Sequence, residues 1–451
     1  MSPASSISPP RKPVRTLAPA APVRRARAAR PAAEMPVEDD GLRRLARALM
    51  LLTVFLLGIR STVFSGVTYG VALSLALAPL WLQALWRYWG ARLLVGTGAL
   101  AAVSGVWLAW AGTPARQVDH AIAAQDLALV VGAVAAVGVI LWCRQIFTDT
   151  QIGVTFGLGL LANAVLNPGA LTAGNPWKFG YLVPVSVLVL SLVQRSDRRG
   201  TQLLLTLLLA LSCAMNDARS YFGTFLLVAV LVVWQMRPVS MSRGRAWGWT
   251  VALLGGLAVG AYYLGQSLLV DGFLGEAAQA RTQEQLRASG SLILGGRPEA
   301  AASFGLLRDQ PGGYGVGVVP SLHDINVAKS SMFDILSFQP DTGYVENFMF
   351  GGRFELHSTL GDLWVHFGAL GVLLALVIGY HVVRGAALRI TSGEASALLL
   401  FLSWWTLWNL LFSPLYSALP TLVLGLGLTL TPRGRPDPAE SRPARSAGAA
   451  S

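Results

Sequence analysis

Apolar runs follow one another almost without pause from Leu45 to Leu430. A spanning helix needs roughly 20 mostly apolar residues, and backbone in lipid must find its hydrogen bonds within its own segment. The runs therefore predict helices over Leu45–Val63, Val67–Trp86, Ala91–Trp110, Ala121–Cys143, Gln151–Leu166, Phe179–Val193, Thr201–Met215, Ser220–Met236, Trp247–Leu264, Leu360–Val383, Ala395–Phe412 and Leu415–Leu430. Pro168, Pro176 and Pro184 predict a broken or re-entrant segment around the fifth and sixth of these. The fold class expected is an all-α polytopic membrane protein of about 12 transmembrane helices, nine within 41–265 and three within 359–431.

The residues 266–358 interrupt the pattern as one large loop between the ninth and tenth helices. Glu276–Ala288 is rich in Ala, Gln, Glu and Arg and predicts a helix. A second helix starts at Pro298, a favoured first-turn residue, and stops near Asp309 before Pro311-Gly312-Gly313. The rest, through Gly352, is expected to be irregular. Residues 1–40 and 432–451 lack hydrophobic periodicity and are expected to be disordered tails. No internal repeat relates the two halves, whereas many twelve-helix transporters are built from repeats.

Composition agrees with a lipid solvent. Of 451 residues, 53% are hydrophobic and 13% charged, where a soluble protein carries about 25%. The net charge of +12 lies largely in the tails and short loops. No basic stripe with interleaved aromatics is present, which argues against a nucleic-acid partner. With the amino terminus in the cytoplasm, the inward short loops carry Arg87, Arg92, Arg144, Arg195, Arg198, Arg199, Arg237, Arg243, Arg245, Arg384 and Arg389. The outward short loops carry only Arg60, Arg116, Lys178 and Arg219. This bias follows the positive-inside rule and places both termini in the cytoplasm, the large loop outside, and the chain in the cytoplasmic membrane. No apolar core of a cleavable signal peptide precedes Leu45. Cys143 and Cys213 fall at opposite faces, so no disulfide is expected.

Three outward residues are candidates for chemistry. Arg219, in Asn216-Asp217-Ala218-Arg219-Ser220, sits at the membrane rim and either grips a phosphate at headgroup depth or snorkels and pairs with Asp217. Arg297, in Gly295-Gly296-Arg297-Pro298, precedes a helix start, a natural anion site, or is a solvated loop cation. His357, in Glu355-Leu356-His357-Ser358, offers an imidazole suited to a general base near neutral pH, or marks the membrane boundary. His366 lies nine positions on, near the opposite side of a helix, so the two histidines do not make a metal pair. No HExxH, clustered Cys or Asp-x-Asp is present, and neither metal nor cofactor is expected. His323-Asp324 is a candidate turn pair; His366 and His381 are candidate buried structural groups. Trp404, Trp405 and Trp408 are interfacial anchors or line a lipid groove.

These stretches resemble the O-antigen ligase and O-antigen polymerase superfamily. Asp217-Ala218-Arg219-Ser220 before a Leu/Val-rich span is similar to the family's small-residue–Arg signature. Gly296-Arg297, then Asp309-Gln310-Pro311 and Gly315-Val316-Gly317, is similar to its arginine, helix and Gly-x-Gly loop. His357-Ser358 followed by Gly368-Ala369-Leu370-Gly371 is similar to its His-Asn and Gly-x-x-Gly pattern, with Ser358 in the place of Asn and His366 where Glu is frequent. The resemblance implies a metal-independent, inverting glycosyltransferase. Its donor is a polyprenyl-diphosphate-linked glycan and its acceptor a hydroxyl of a glycan or lipid-glycan. Arg219 and Arg297 would hold the diphosphate, and His357 would be the catalytic base. The alternatives are a lipid-linked glycan flippase or other polytopic transporter, and a scaffold for envelope assembly.

Overall fold

The computed structural model describes residues 40–433, apart from Ser65, 113–115, 168, 170–173, 195–197, 237–296 (of which only Ala252, Gly256 and Gln283 are described), 337–342 and Tyr344. The tails 1–39 and 434–451, the helix expected over Trp247–Leu264 and the loop helix expected over Glu276–Ala288 lie outside the described residues.

The described chain is mostly helical. Helix α1 (Asp40–Gly58) leads into a small hairpin, β1 (Thr62–Phe64) with β2 (Val67–Thr68), and then into α2 (Tyr69–Ala76) and α3 (Ala78–Ala84). Next come α4 (Ala91–Gly112), α5 (His120–Cys143), α6 (Asp149–Leu166), a π turn (Trp177–Tyr181) running into α7 (Leu182–Leu192), α8 (Arg199–Met215) and α9 (Arg219–Gln235). After the gap stand α10 (Pro298–Asp309), α11 (Leu322–Leu336), a π turn at Val345–Met349, α12 (Thr359–Thr391), α13 (Ala397–Phe412) and α14 (Leu415–Thr429).

Local chemistry sets many of the boundaries. Asp119 caps α5 by accepting from the amides of Ala121 and Ile122. Thr148 and Gln151 form a reciprocal capping box on α6. Ser358 and Ser396 cap α12 and α13. The second expected span is two helices at 73° to each other. Pro79 opens α3 and cannot continue the ladder of α2. The indole of Trp81 then donates to the Ser74 carbonyl at 2.7 Å. The first span ends at Gly58, short of Val63, because the β-branched Thr62-Val63 pair enters the hairpin.

Three helices are long and apolar enough to cross a membrane: Ala91–Gly112, His120–Cys143 and Thr359–Thr391; the bent α2–α3 pair makes a fourth if it is one span. Several shorter apolar helices pack beside them. Contacts fix their directions. Gly153, near the start of α6, faces Ser191 near the end of α7. Tyr221 stacks on Trp405 and Phe225 on Phe401, so α9 and α13 run antiparallel. Gln235, ending α9, meets Ala395, whereas Arg297 lies over Phe412 at the far end of α13. The bundle thus has a loop end, bearing Arg297 to His357, and an opposite end.

Helix α12 is broken at Gly368, whose φ of 61° and ψ of −147° suit only glycine. Two carbonyls beside the break are engaged from outside the helix. Val365 accepts from the amides of Tyr314 (2.8 Å) and Gly315 (3.1 Å), and Phe367 accepts from the Ser104 hydroxyl at 3.0 Å. Gly315, at φ 106°, lies against the backbone of Leu108 and Ala109, where a Cβ would collide. The segment after Pro311 therefore seats itself among α4, α5 and α12 and completes the bonding of a broken helix, the condition for irregular backbone at depth.

Two expectations for this stretch are corrected. The region after Asp309 is not irregular throughout: α11 folds against α10, with Ser331 packed on Gly305. His323 and Asp324 do not form a local pair. His323 meets Asp309 at 3.1 Å, and Asp324 binds Arg116.

Candidate functional site

The loop end gathers the candidate residues around the carboxyl end of α13. Ser358 donates its hydroxyl to the Leu410 carbonyl at 3.0 Å, and Thr359 donates to that of Ser413 at 2.9 Å. His357 is thereby held next to the last turn of α13. Arg297 stands over the ring of Phe412, 5.6 Å from its centroid. Arg219 enters from α9, two residues before Tyr221, whose ring stacks on Trp405 at 3.8 Å. Trp405 and Phe412 are two turns apart, about 10 Å along the helix. Arg297 and His357 therefore border the last turn of one helix, whereas Arg219 lies at the same end of the bundle, two residues before a ring on that helix, and contacts Asp217.

Each has a distinct setting. His357 is half-buried and has a φ of 52°, a strained conformation for a residue with a Cβ. Its Nδ1 lies 3.2 Å from the Glu355 carbonyl. A carbonyl only accepts, so Nδ1 carries a hydrogen in this contact. Buried Asp362 fixes the turn beneath, accepting from the amides of Leu356 at 2.8 Å and Leu415 at 2.7 Å. Arg219 donates through Nε to Asp217 at 3.0 Å, the pairing that its local sequence offered. Its two terminal nitrogens make no hydrogen bond among the described residues. Arg297 has only its face on Phe412 among described contacts and precedes the amino end of α10.

Arg60 and Arg116, also at the loop end, are engaged by the protein. Arg60 donates to the Tyr416 carbonyl at 2.6 Å and covers the Tyr416 ring. Arg116 grips both oxygens of Asp324 (2.9 and 3.2 Å), donates to Gln310 and faces the Tyr314 ring. Burial alone would raise the Asp324 carboxyl, but the hydrogen bonds from Arg116 and Ser321 outweigh it and hold it below the usual carboxylate value. Burial pushes the Tyr314 phenol above its ordinary value.

Trp405 is corrected from anchor to packing residue: it is buried, stacked between Tyr221 and the helix core. Cys143 and Cys213 are both free and buried. Among the described residues no group of three or more His, Cys, Asp or Glu side chains is placed to hold a metal ion.

Sequence reasoning passed over Asp126. This carboxylate lies in α5, 1% exposed, and accepts from the Gly317 amide at 2.9 Å. It also stands 3.3 Å from Nδ1 of His366. The signal was available: a single acid inside an apolar run long enough to span is costly unless it has work to do. Comparison with protein-family models and with curated proteins finds no match.

Proposed function

We propose that this chain is a polytopic membrane glycosyltransferase. It has twelve spans, both termini in the cytoplasm and its large loop outside the cytoplasmic membrane. It transfers or polymerises a glycan from a polyprenyl diphosphate onto a hydroxyl of a glycan or lipid-glycan acceptor, without metal and with inversion. The observation that carries this reading is the contrast among loop-end arginines. Arg60 and Arg116 have protein partners for their terminal nitrogens, while those of Arg219 and Arg297 make no hydrogen bond among the described residues, at the same end of the bundle as His357. Two guanidinium groups suit a diphosphate, whose oxygens they meet two at a time.

The chemistry follows from those groups. Nε2 of His357 takes the proton of the acceptor hydroxyl as its oxygen attacks the anomeric carbon. The bond from that carbon to the diphosphate oxygen breaks, and the diphosphate leaves with the electron pair. Arg219 and Arg297 stabilise the charge that grows on it, which replaces a metal ion in that role. The directions of the helices support the twelve-span layout, since Gln235 and Arg297 border the gap from opposite ends of the bundle.

The rival is a transporter, favoured by the broken helix α12 and the buried Asp126–His366 pair, features that transporters place at midplane. Purified protein in lipid vesicles with a polyprenyl-diphosphate glycan and an acceptor separates the two. The enzyme joins donor to acceptor, and His357→Ala abolishes joining while leaving donor bound. Movement of donor between leaflets with no new glycosidic bond overturns the proposal.

A further inference from the structure

Asp126 and His366 meet in the densest part of the bundle, with side chains 1% and 5% exposed. Three contacts surround them, Nδ1 of His366 and Oδ1 of Asp126 making no hydrogen bond among the described residues, and the hydrogens can be counted. Nε2 of His366 lies 3.1 Å from the Phe354 carbonyl, which only accepts, so Nε2 carries a hydrogen. The Gly317 amide only donates, and at 2.9 Å it occupies a lone pair of Asp126 Oδ2. The remaining contact is Nδ1 to the same Oδ2 at 3.3 Å. With the ring neutral and the carboxyl ionised, that contact would set a lone pair against an anion in a water-poor interior. One further proton removes the conflict, whether it sits on Nδ1 or on the carboxyl. The pair is then neutral overall, the state that burial favours.

The surrounding charges agree. On α12, Asp362 lies one turn before His366 on the same face and is taken up by the Leu356 and Leu415 amides. On the segment leading into α12, Arg353 and Glu355 neutralise each other at 2.8 Å, and His357 lies beyond them. On α5, Asp119 and His120 stand at the first turn, more than one turn away. On the inserted loop the titratable neighbour is Tyr314, and farther out Arg116 and Asp324 neutralise each other.

We propose that Asp126 and His366 form a proton-binding site. The pair holds one shared proton at neutral pH and fixes the Tyr314–Val319 segment and the Phe354 chain to the break in α12. Its reach follows from its partners: Gly317 belongs to the inserted loop, and Phe354 lies three residues before His357. The site stands independently of any reaction at His357.

The test uses the full chain in lipid nanodiscs at neutral pH, with the proton as the probe. Nuclear magnetic resonance of ¹⁵N-labelled histidine and infrared spectroscopy of carboxyl groups are compared for the wild type, Asp126→Asn and His366→Gln. The wild type is expected to show either a doubly protonated ring or a protonated carboxyl that disappears in both variants. Should these variants fail to fold, Asp126→Glu supplies the assignment by shifting the same band. A neutral His366 ring beside an ionised Asp126 overturns the proposal. Asp126→Asn replaces the carboxylate with a neutral amide, which holds the Gly317 amide without the help of charge, so amide exchange over 314–319 is expected to rise at least tenfold. Unchanged exchange in that variant overturns the clamp.

Discussion

Arginines serve the two ends of the bundle differently. At the opposite end, Arg144 donates to the carbonyls of Gly427 (2.9 Å) and Leu430 (2.7 Å) and meets Asp149 at 3.0 Å. Arg389 reaches the Leu428 carbonyl, and Arg199 engages the carbonyls of Gly393 and Ala395. Arg144 and Arg389 cap the carboxyl end of α14, where four carbonyls lack intrahelical partners and the helix dipole is negative, and Arg199 binds the turn between α12 and α13. At the loop end, Arg219 and Arg297 cap no helix among the described residues. The arginines of that end therefore serve as structural ties, and an arginine without such a carbonyl asks for another partner.

The largest effect expected from this contrast is at Arg144, whose side chain is 6% exposed. Arg144→Leu leaves the Gly427 and Leu430 carbonyls without a donor, while Asp149 keeps Arg389 at 3.6 Å. A loss of about 3–5 kcal/mol is expected, read from denaturant unfolding in micelles. Stability within about 0.5 kcal/mol of the wild type would break the comparison at its structural side. At the loop end the signs reverse. Arg219→Ala and Arg297→Ala should each lower glycan transfer by roughly 10²–10³-fold, the scale of losing one donor to transition-state charge. Their unfolding curves should overlay that of the wild type. Equal losses of stability at both ends would remove the distinction.

The sequence carried the helices more fully than the site. Helices α4 and α5 were legible nearly to their ends, and Pro298–Asp309 at both, because a first-turn proline and a Pro-Gly-Gly stop are local signals. Helix α11 was not, since its apolar residues alternate with Lys, Ser and Asp and it gains its order by docking on α10. The break at Gly368 depends on Tyr314 and Gly315 amides arriving from far along the chain. For the site, Arg60, Arg116 and Arg219 look alike in sequence. What separates them is a carbonyl at Tyr416 and a carboxylate at Asp324, each hundreds of positions away or nearly so. The three candidates at Arg219, Arg297 and His357 were chosen from local motifs, and the placing of Arg297 and His357 beside the end of α13 appears only once the bundle is assembled.

Arg116 sharpens the comparison from within the loop end, because it is an outward arginine with a structural partner. Asp324→Asn should cost about 2–3 kcal/mol, the worth of hydrogen bonds to a charged group, and leave transfer intact. The pH dependence has a definite sign. The folded carboxyl lies below its unfolded value of about 3.9, so its contribution is complete above that pH and is lost as pH falls through the folded value. Acid unfolding of Asp324→Asn should therefore be the flatter of the two. A variant as acid-sensitive as the wild type would move the effect to other carboxylates.

The smallest effect belongs to a pair that resembles Arg116–Asp324 in charge but not in setting. Lys329 of α11 and Glu346 of the π turn at Val345–Met349 form an ion pair, with side chains 31% and 39% exposed. The hydrogen bond from Lys329 holds the Glu346 carboxyl below its ordinary value, and water and salt screen what that contributes. Glu346→Gln should change stability by less than about 1 kcal/mol and lose even that in molar salt. The same substitution logic at Asp324 should survive salt, since that carboxylate is fully buried. Measuring both variants with and without salt isolates burial as the variable. A Glu346→Gln loss as large as that of Asp324→Asn, persisting in salt, would mean that the π turn is held by this pair rather than by the buried Val345 and Met349 beside it.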